Sequence, residues 1–389
     1  MYFHERLTPR VSSTLNLARW VAAELVLVSH IRGLVLVTWS EVPASERNPL
    51  LWLLFAGTSL GHQAVVVFFV MSGFLVGGSV LSEVRADRFS MGRYLVNRIS
   101  RLYVVLLPAL ALGWTLDRIG LRAFAESGIY SHKFPHELLS LNYDVGARLG
   151  AATWIANAVN LQTISAPTLG SNGPLWSLAN EFWYYLLFPA ALLPFVAKRR
   201  WARAAWAAVA LAAAWLVYPN ILAYALIWLL GVAVRLIPRI RFLPPWLTAL
   251  AIFPAAAACA RIQSTSRAPG AFFLADMALA LLFLVVLLGS MHERRSDALP
   301  GAKTHERLAG FSYSLYLLHF PFVLLTTVWV QSTWGHALSQ RPGTAPFLIM
   351  AALFVAANLY AWTVAQATER HTASVRRWLM MRAFPTISR

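Results

Sequence analysis

A single cysteine, Cys259, stands in 389 residues, so the chain has no intrachain disulfide and no cysteine-built zinc or iron–sulfur site. Charge is scarce too: Asp, Glu, Lys and Arg make up 13% of the chain, about half the share of a soluble domain. Acidic residues are the scarcest, 16 against 33 Lys and Arg, which leaves a net charge of +17. The chain also lacks a P-loop, a dinucleotide fingerprint, an HExxH metal motif and a Gly-x-Ser-x-Gly elbow. These absences remove the usual signatures of an ATP-driven pump and of a membrane metalloprotease, and no metal is expected. No small-residue cleavage pattern follows the first apolar run, so that run reads as a retained span.

Apolar side chains are in excess. They form 58% of the residues, with a mean hydropathy of +0.58, more than a globule of this size can hide. Lipid is the solvent this implies. Apolar windows give ten spans, at 15–38, 62–81, 101–117, 175–196, 202–218, 220–236, 246–260, 271–289, 308–330 and 346–368. The expected fold is all-α, a polytopic membrane protein of about ten transmembrane helices, with Tyr218-Pro219-Asn220 breaking the fifth from the sixth. With both termini cytoplasmic, the inner segments carry 22 Lys or Arg and the outer segments 8, as the positive-inside rule requires. The basic residues fall between spans, so they read as topology and contact with anionic lipid rather than nucleic acid. The chain is read as one membrane domain, 1–389, with an extracytoplasmic loop region at 118–174 and a basic cytoplasmic tail at 369–389. Within the loop, Ile119 to Ile129 reads as a short surface helix and Trp154 to Leu161 as a re-entrant or interfacial piece.

Ionisable groups inside spans are the informative minority, because hydrocarbon rejects them unless they are paired or hydrated. Arg19 and His30 are eleven residues apart, which on a helix puts them within about 20° of one face and about 16 Å apart along the axis. Arg19 is either a boundary cation or a clamp for phosphate or carboxylate, and His30 either a packing group or a proton carrier. Glu24 points elsewhere and reads as neutralising an arginine of another span. In the fourth span Trp176, Ser177 and Glu181 follow a Gly-Pro helix start, with Ser177 and Glu181 on one face. In the ninth, Ser312, Tyr313, Tyr316 and His319 place hydroxyls and an imidazole together, and Pro321 leaves the carbonyl near Leu317 without its helical donor. Arg98 and Arg101 lie three apart beside Tyr94 and Tyr103, a surface suited to a phosphorylated molecule or to lipid headgroups.

Several stretches resemble the bacterial membrane acyltransferase family called acyltransferase 3. Arg19 and His30 are similar to its opening motif of a basic residue, ten positions and a histidine. Phe68-Phe69-Val70-Met71-Ser72-Gly73-Phe74-Leu75 resembles its FF-V-L-S-G-F-L stretch, and Arg98-Ile99-Ser100-Arg101-Leu102-Tyr103 its arginine-rich run. Val104 departs from the proline usual there. Leu175-Trp176-Ser177-Leu178 with Glu181 and Tyr185 to Pro189 resembles the LWSL-E-YLLFP block, and Phe311 to Pro321 the late SYSLYLLH-P block.

The resemblance implies an inner-membrane enzyme that moves an acyl group, most simply acetyl, from acetyl-CoA or another acyl-CoA to a hydroxyl of an extracytoplasmic or lipid-linked glycan. It implies His30 and Glu181 as catalytic residues and Arg19, Arg98 and Arg101 as holding the donor. Ser72, Trp176, Ser177, Tyr313, Tyr316 and His319 would bind substrate or support the site. The hydrolase-like extracytoplasmic domain of some relatives is not expected after the tenth span. The alternative is a proton-coupled secondary transporter or glycan flippase, with Arg19, His30 and Glu181 as its proton path.

Overall fold

The computed structural model describes residues 8–134, 138, 141–237, 245–268, 270–292 and 297–384. Arg6, Arg239, Arg241, Arg294, Arg295 and Arg389, all counted in the charge asymmetry, lie outside the described residues. Among the described residues regular structure is helical, with isolated bridges in place of sheets.

Each of the ten apolar windows is a helix: Pro9–Val35, Gly61–Arg85, Met91–Ala123, Leu175–Val196, Arg200–Leu216, Asn220–Val234, Pro245–Thr265, Ala271–His292, Ser312–Trp334 and Thr344–Ala367. Six described helices are long and apolar enough to cross a membrane, those beginning at Pro9, Gly61, Met91, Ala271, Ser312 and Thr344. Asn220–Val234 is a shorter helix and begins directly after Pro219, where the Pro-Asn pair was expected to break the chain.

The surface helix expected at Ile119 to Ile129 does not form. The 33-residue helix from Met91 runs through Ile119 to Ala123 and gives way to a short 3-10 turn at Ala125–Ser127. Gly128, at φ +70°, then turns the chain in the left-handed region that glycine enters without strain. The helix Ala151–Ala158 covers the first five residues of the Trp154 to Leu161 stretch.

The chain divides into two compact units. The first comprises 1–22, 62–98 and 177–309, and the second 23–61, 99–176 and 310–389.

In the first unit the Gly61–Arg85 and Asn220–Val234 helices meet backbone to backbone. A Cβ on Gly73 would lie 1.8 Å from the Trp228 carbonyl oxygen, and one on Gly231 would lie 2.0 Å from that of Val70. Gly73 and Gly77 are four apart, so they share one face. Small residues in that spacing let membrane helices approach without intervening side chains. At the contact the Gly73–Gly77 segment is a π turn.

In the second unit the long connection before Leu175 is tied down by buried polar groups. Asp117, 1% exposed, accepts from both the backbone N–H and the hydroxyl of Ser171, each at 2.7 Å. Asn157 accepts from the Leu169 N–H and donates to the carbonyls of Thr153 and Pro167. Arg148 lies 3.3 Å over the Tyr143 ring. Burial raises the Tyr143 hydroxyl pKa, with the Arg148 charge opposing it. Elsewhere in the unit, Ser339 and Gln340 donate their backbone N–H groups to the last carbonyls of the Pro9–Val35 helix, at Leu34 and Val35.

Candidate functional site

Most of the sequence-predicted residues gather in two clusters, one in each unit. In the second unit, His30 Nδ1 and His319 Nε2 are 2.9 Å apart, and the rings stack with centroids 5.0 Å apart. His319 is fully buried, and its Nδ1 faces the carbonyls of Leu315 and Tyr316 at 3.0 and 2.9 Å. Carbonyls only accept, so Nδ1 of His319 carries the proton and Nε2 is left as an acceptor. His30 therefore donates from Nδ1, and in its neutral form keeps a lone pair on Nε2. Phe320 closes on the His30 ring edge to face at 5.0 Å.

The turn carrying His319 is stitched to the segment that starts the Leu175–Val196 helix. Tyr316 donates its hydroxyl to the Pro174 carbonyl at 3.1 Å. Pro321 has no N–H to offer Leu317, and Asn172 supplies one instead, at 2.8 Å. Gln162 likewise donates to the Leu175 carbonyl at 3.0 Å. Tyr313 reaches the Leu102 carbonyl at 3.4 Å, Trp176 is half-buried, and Arg101 is exposed. Glu24 accepts from the neutral amide of Asn358 at 3.1 Å, where an arginine was expected. Asn358 lies on the Thr344–Ala367 helix and brings a donor to Glu24 without a second charge.

In the first unit Glu181 is the hub. Its Oε1 accepts from the Ser72 hydroxyl at 3.0 Å and from the Tyr185 hydroxyl, one turn along the same helix. Trp228 donates its indole N–H to Ser72 at 3.1 Å, so the close glycine contact places the oxygen of Ser72 between tryptophan and carboxylate. Ser177 is buried on the same helix face as Glu181. Arg98 stacks over Tyr94 and Tyr185 at 5.7 and 5.9 Å, and Tyr94 donates to the Tyr185 carbonyl at 3.0 Å. The Arg98 Nε is buried and has no hydrogen-bond partner among the described residues. Arg19 is half-buried and belongs to this unit.

Sequence reading missed three participants. Trp228 is an ordinary apolar residue in pattern, and only the fold shows its N–H on Ser72. Arg235 was counted with a loop, yet it lies 4.7 Å over the Phe74 ring, with a buried Nε lacking a partner among the described residues. Asn172 sat in a Gly/Asn/Ser stretch read only as a connection. Among the described residues no group of three His, Cys, Asp or Glu is placed to hold a metal ion.

The chain spans just under half the length of each curated relative it matches. It is 27% identical over 187 residues to an O-acetyl transferase of Shigella phage Sf6, which covers 46% of this chain and 46% of that protein. It is 29% identical over 136 residues to an uncharacterized protein of Haemophilus influenzae, covering 33% of this chain and 47% of the other. No solved structure gives a significant match. The acyltransferase domain family matches residues 13–365, from the first long helix to the last, including His30, Ser72, Arg98, Glu181 and His319. The chain belongs to the acyltransferase 3 family.

Proposed function

We propose that this chain transfers an acyl group, most simply acetyl, from a coenzyme A thioester to a hydroxyl of an extracytoplasmic or lipid-linked glycan. The observation that carries the reading is the His30–His319 pair, in which the backbone fixes one imidazole so that the other, when neutral, keeps a lone pair on Nε2. His30 Nε2 would take the proton from the acceptor hydroxyl as its oxygen bonds to the acyl carbon. The carbon–sulfur bond then breaks, and the proton passes to the leaving thiolate. In a two-step variant His30 Nε2 attacks the thioester carbonyl, the carbon–sulfur bond breaks and coenzyme A leaves as the thiolate. The acceptor hydroxyl then attacks the acyl-imidazole, the nitrogen–carbon bond breaks and the hydroxyl proton is released to neutralise the thiolate. His319 would act through His30, and Glu181 through Ser72 and Tyr185.

Arg98, stacked over two tyrosine rings and with an Nε that has no partner among the described residues, is the strongest candidate for holding donor phosphates, joined by Arg19 and Arg101. The reading places the chain in the inner membrane with ten crossings and both ends cytoplasmic. Ten helices coincide with the ten apolar windows, and the basic residues favour that orientation. The name of the phage relative supports O-acetyl transfer as the class of reaction.

The test is consumption of acetyl-, propionyl- and succinyl-CoA by the purified protein in the presence of the host's own glycans. Thioester loss matched by acylated glycan is expected. Glycan or proton translocation without thioester loss would sink the enzyme reading in favour of the transporter.

A further inference from the structure

Arg32 is the one Lys or Arg among the described residues that is buried, at 8% exposure. It sits in the last turn of the Pro9–Val35 helix, three residues before its end. Two residues along a helix turn by about 200°, so Arg32 lies across the helix from the His30–His319 pair and is no part of it.

Nothing among the described residues answers its charge. It makes no ion pair and no side-chain hydrogen bond there, and its neighbour is the buried ring of Phe55, 5.7 Å from the guanidinium carbon. The two acids on the connection that follows are turned elsewhere. Glu41 accepts from the Thr38 N–H and hydroxyl at 2.8 and 2.7 Å, and Glu46 lies 4.0 Å from Arg341. Nor does the guanidinium cap its own helix: the Arg32 carbonyl accepts from the Leu36 N–H, and those of Leu34 and Val35 accept from Ser339 and Gln340.

Buried acids in this protein are treated differently. Asp276 is fully buried and accepts from His62 Nε2, the Tyr224 hydroxyl and the Gln263 amide, each at 2.8 Å and each from a different helix. Asp117 has the N–H and hydroxyl of Ser171. A guanidinium taken out of water without an acceptor or counter-charge loses the hydration of an ion, a far larger cost than for a neutral group. An anion brought from outside the chain would offset it.

The guanidinium is also reachable. Its Nε is enclosed, but its two terminal nitrogens are not among the enclosed atoms, so the outer edge of the fork stays open. The N–H groups side by side on that edge match two oxygens of one phosphate or carboxylate.

We propose that Arg32 is a binding site for an oxyanion, a phosphate or carboxylate group held end-on by the two terminal nitrogens beside the Phe55 ring. The site lies apart from the acyl-transfer pair and is read through stability, so it stands or falls without that reading.

The experiment is thermal unfolding of the full chain in a neutral, lipid-free detergent at constant ionic strength set with chloride. The probes are inorganic phosphate, acetate, and phosphatidylglycerol in mixed micelles. At least one should raise the wild-type midpoint saturably, by about 2 °C at tenfold its dissociation constant. A response to phosphatidylglycerol at lower concentration than to inorganic phosphate assigns the oxyanion to a lipid headgroup, and the reverse order assigns it to a soluble anion. Arg32→Met removes the charge, so it should lose the shift and, without added anion, unfold at or above the wild-type midpoint. Arg32→Lys keeps a charge without the fork and should show a weaker shift, which keeps the test decisive if Arg32→Met does not fold. Absence of a saturable shift in the wild type with every probe would overturn the proposal. So would an equal shift in folded Arg32→Met, or a midpoint of that variant below the wild type without anion, since the guanidinium would then be satisfied within the protein.

Discussion

Asn172 donates its side-chain N–H to the main-chain carbonyl of Leu317 at 2.8 Å, across 145 positions of sequence. Pro321 cannot serve that carbonyl, so the amide replaces a helical bond and anchors the connection two residues from His319. Asn172→Leu should therefore leave a buried carbonyl without a donor and destabilise the protein by about 1–3 kcal/mol. Thermal unfolding in detergent measures this. The double variant with Pro321→Ala should recover part of the loss, since alanine restores the N–H.

His30→Ala should lower acyl transfer by about 10²–10⁴-fold while membrane abundance stays within about twofold. His319→Phe keeps a buried ring but removes the acceptor on the His30 N–H, so His30 would lose one of its two orienting contacts and keep the Val26 carbonyl. Its loss should fall mainly on kcat, with donor affinity unchanged. Equal activity in His319→Phe and wild type would make the pair a packing contact. A single turnover with labelled donor and no acceptor should leave label on the protein only if the two-step route operates.

The two arginines of the third span should differ. Arg98 is half-buried, stacked on two tyrosines and has an Nε without a partner among the described residues, whereas Arg101 is exposed. Arg98→Lys should raise the donor Kd about threefold to tenfold, because an ammonium loses the planar fork, and Arg98→Ala should raise it further. Arg101→Lys should weaken donor binding less, with an effect that fades as salt screens exposed charge. Replacing Lys133, in the long connection, should leave donor affinity unchanged. Isothermal titration of the folded variants at several salt concentrations separates these outcomes.

Topology is open to chemical labelling. In a Cys259→Ala background, Arg370→Cys should resist an impermeant thiol reagent added to intact cells, and Lys133→Cys should react. Rapid labelling of Arg370→Cys would reverse the orientation read from the basic residues.

The helices were legible because each carries an apolar run long enough to stand out from the polar connections. Their ends were less so. The Met91–Ala123 helix starts ten residues before its apolar window, since Arg93 and Arg98 sit on helical turns that hydropathy alone excludes. His30 and His319 were each singled out by chemistry, but their pairing across 289 positions belongs to tertiary packing. Asp276 offered a signal that went unused: it is the sole ionisable residue in its apolar window. Its partners come from three other helices, and no local spacing announces them. Glu24 shows the opposite error, an inferred ion pair where a carboxamide sufficed.

Gly73 and Gly231 set the two helices that carry Ser72 and Trp228 backbone against backbone, and Gly77 leaves room for the side chains of Trp228 and Val232. The backbone contact at Gly73 and Gly231 has little to re-pack, so the helices should resist sliding past one another and behave mechanically as a single beam. Whatever compliance the catalytic cycle requires must come from other joints. In a saturation library selected for function, those three columns should stay blank even for alanine, while exposed apolar positions such as Leu226 fill with almost any apolar residue.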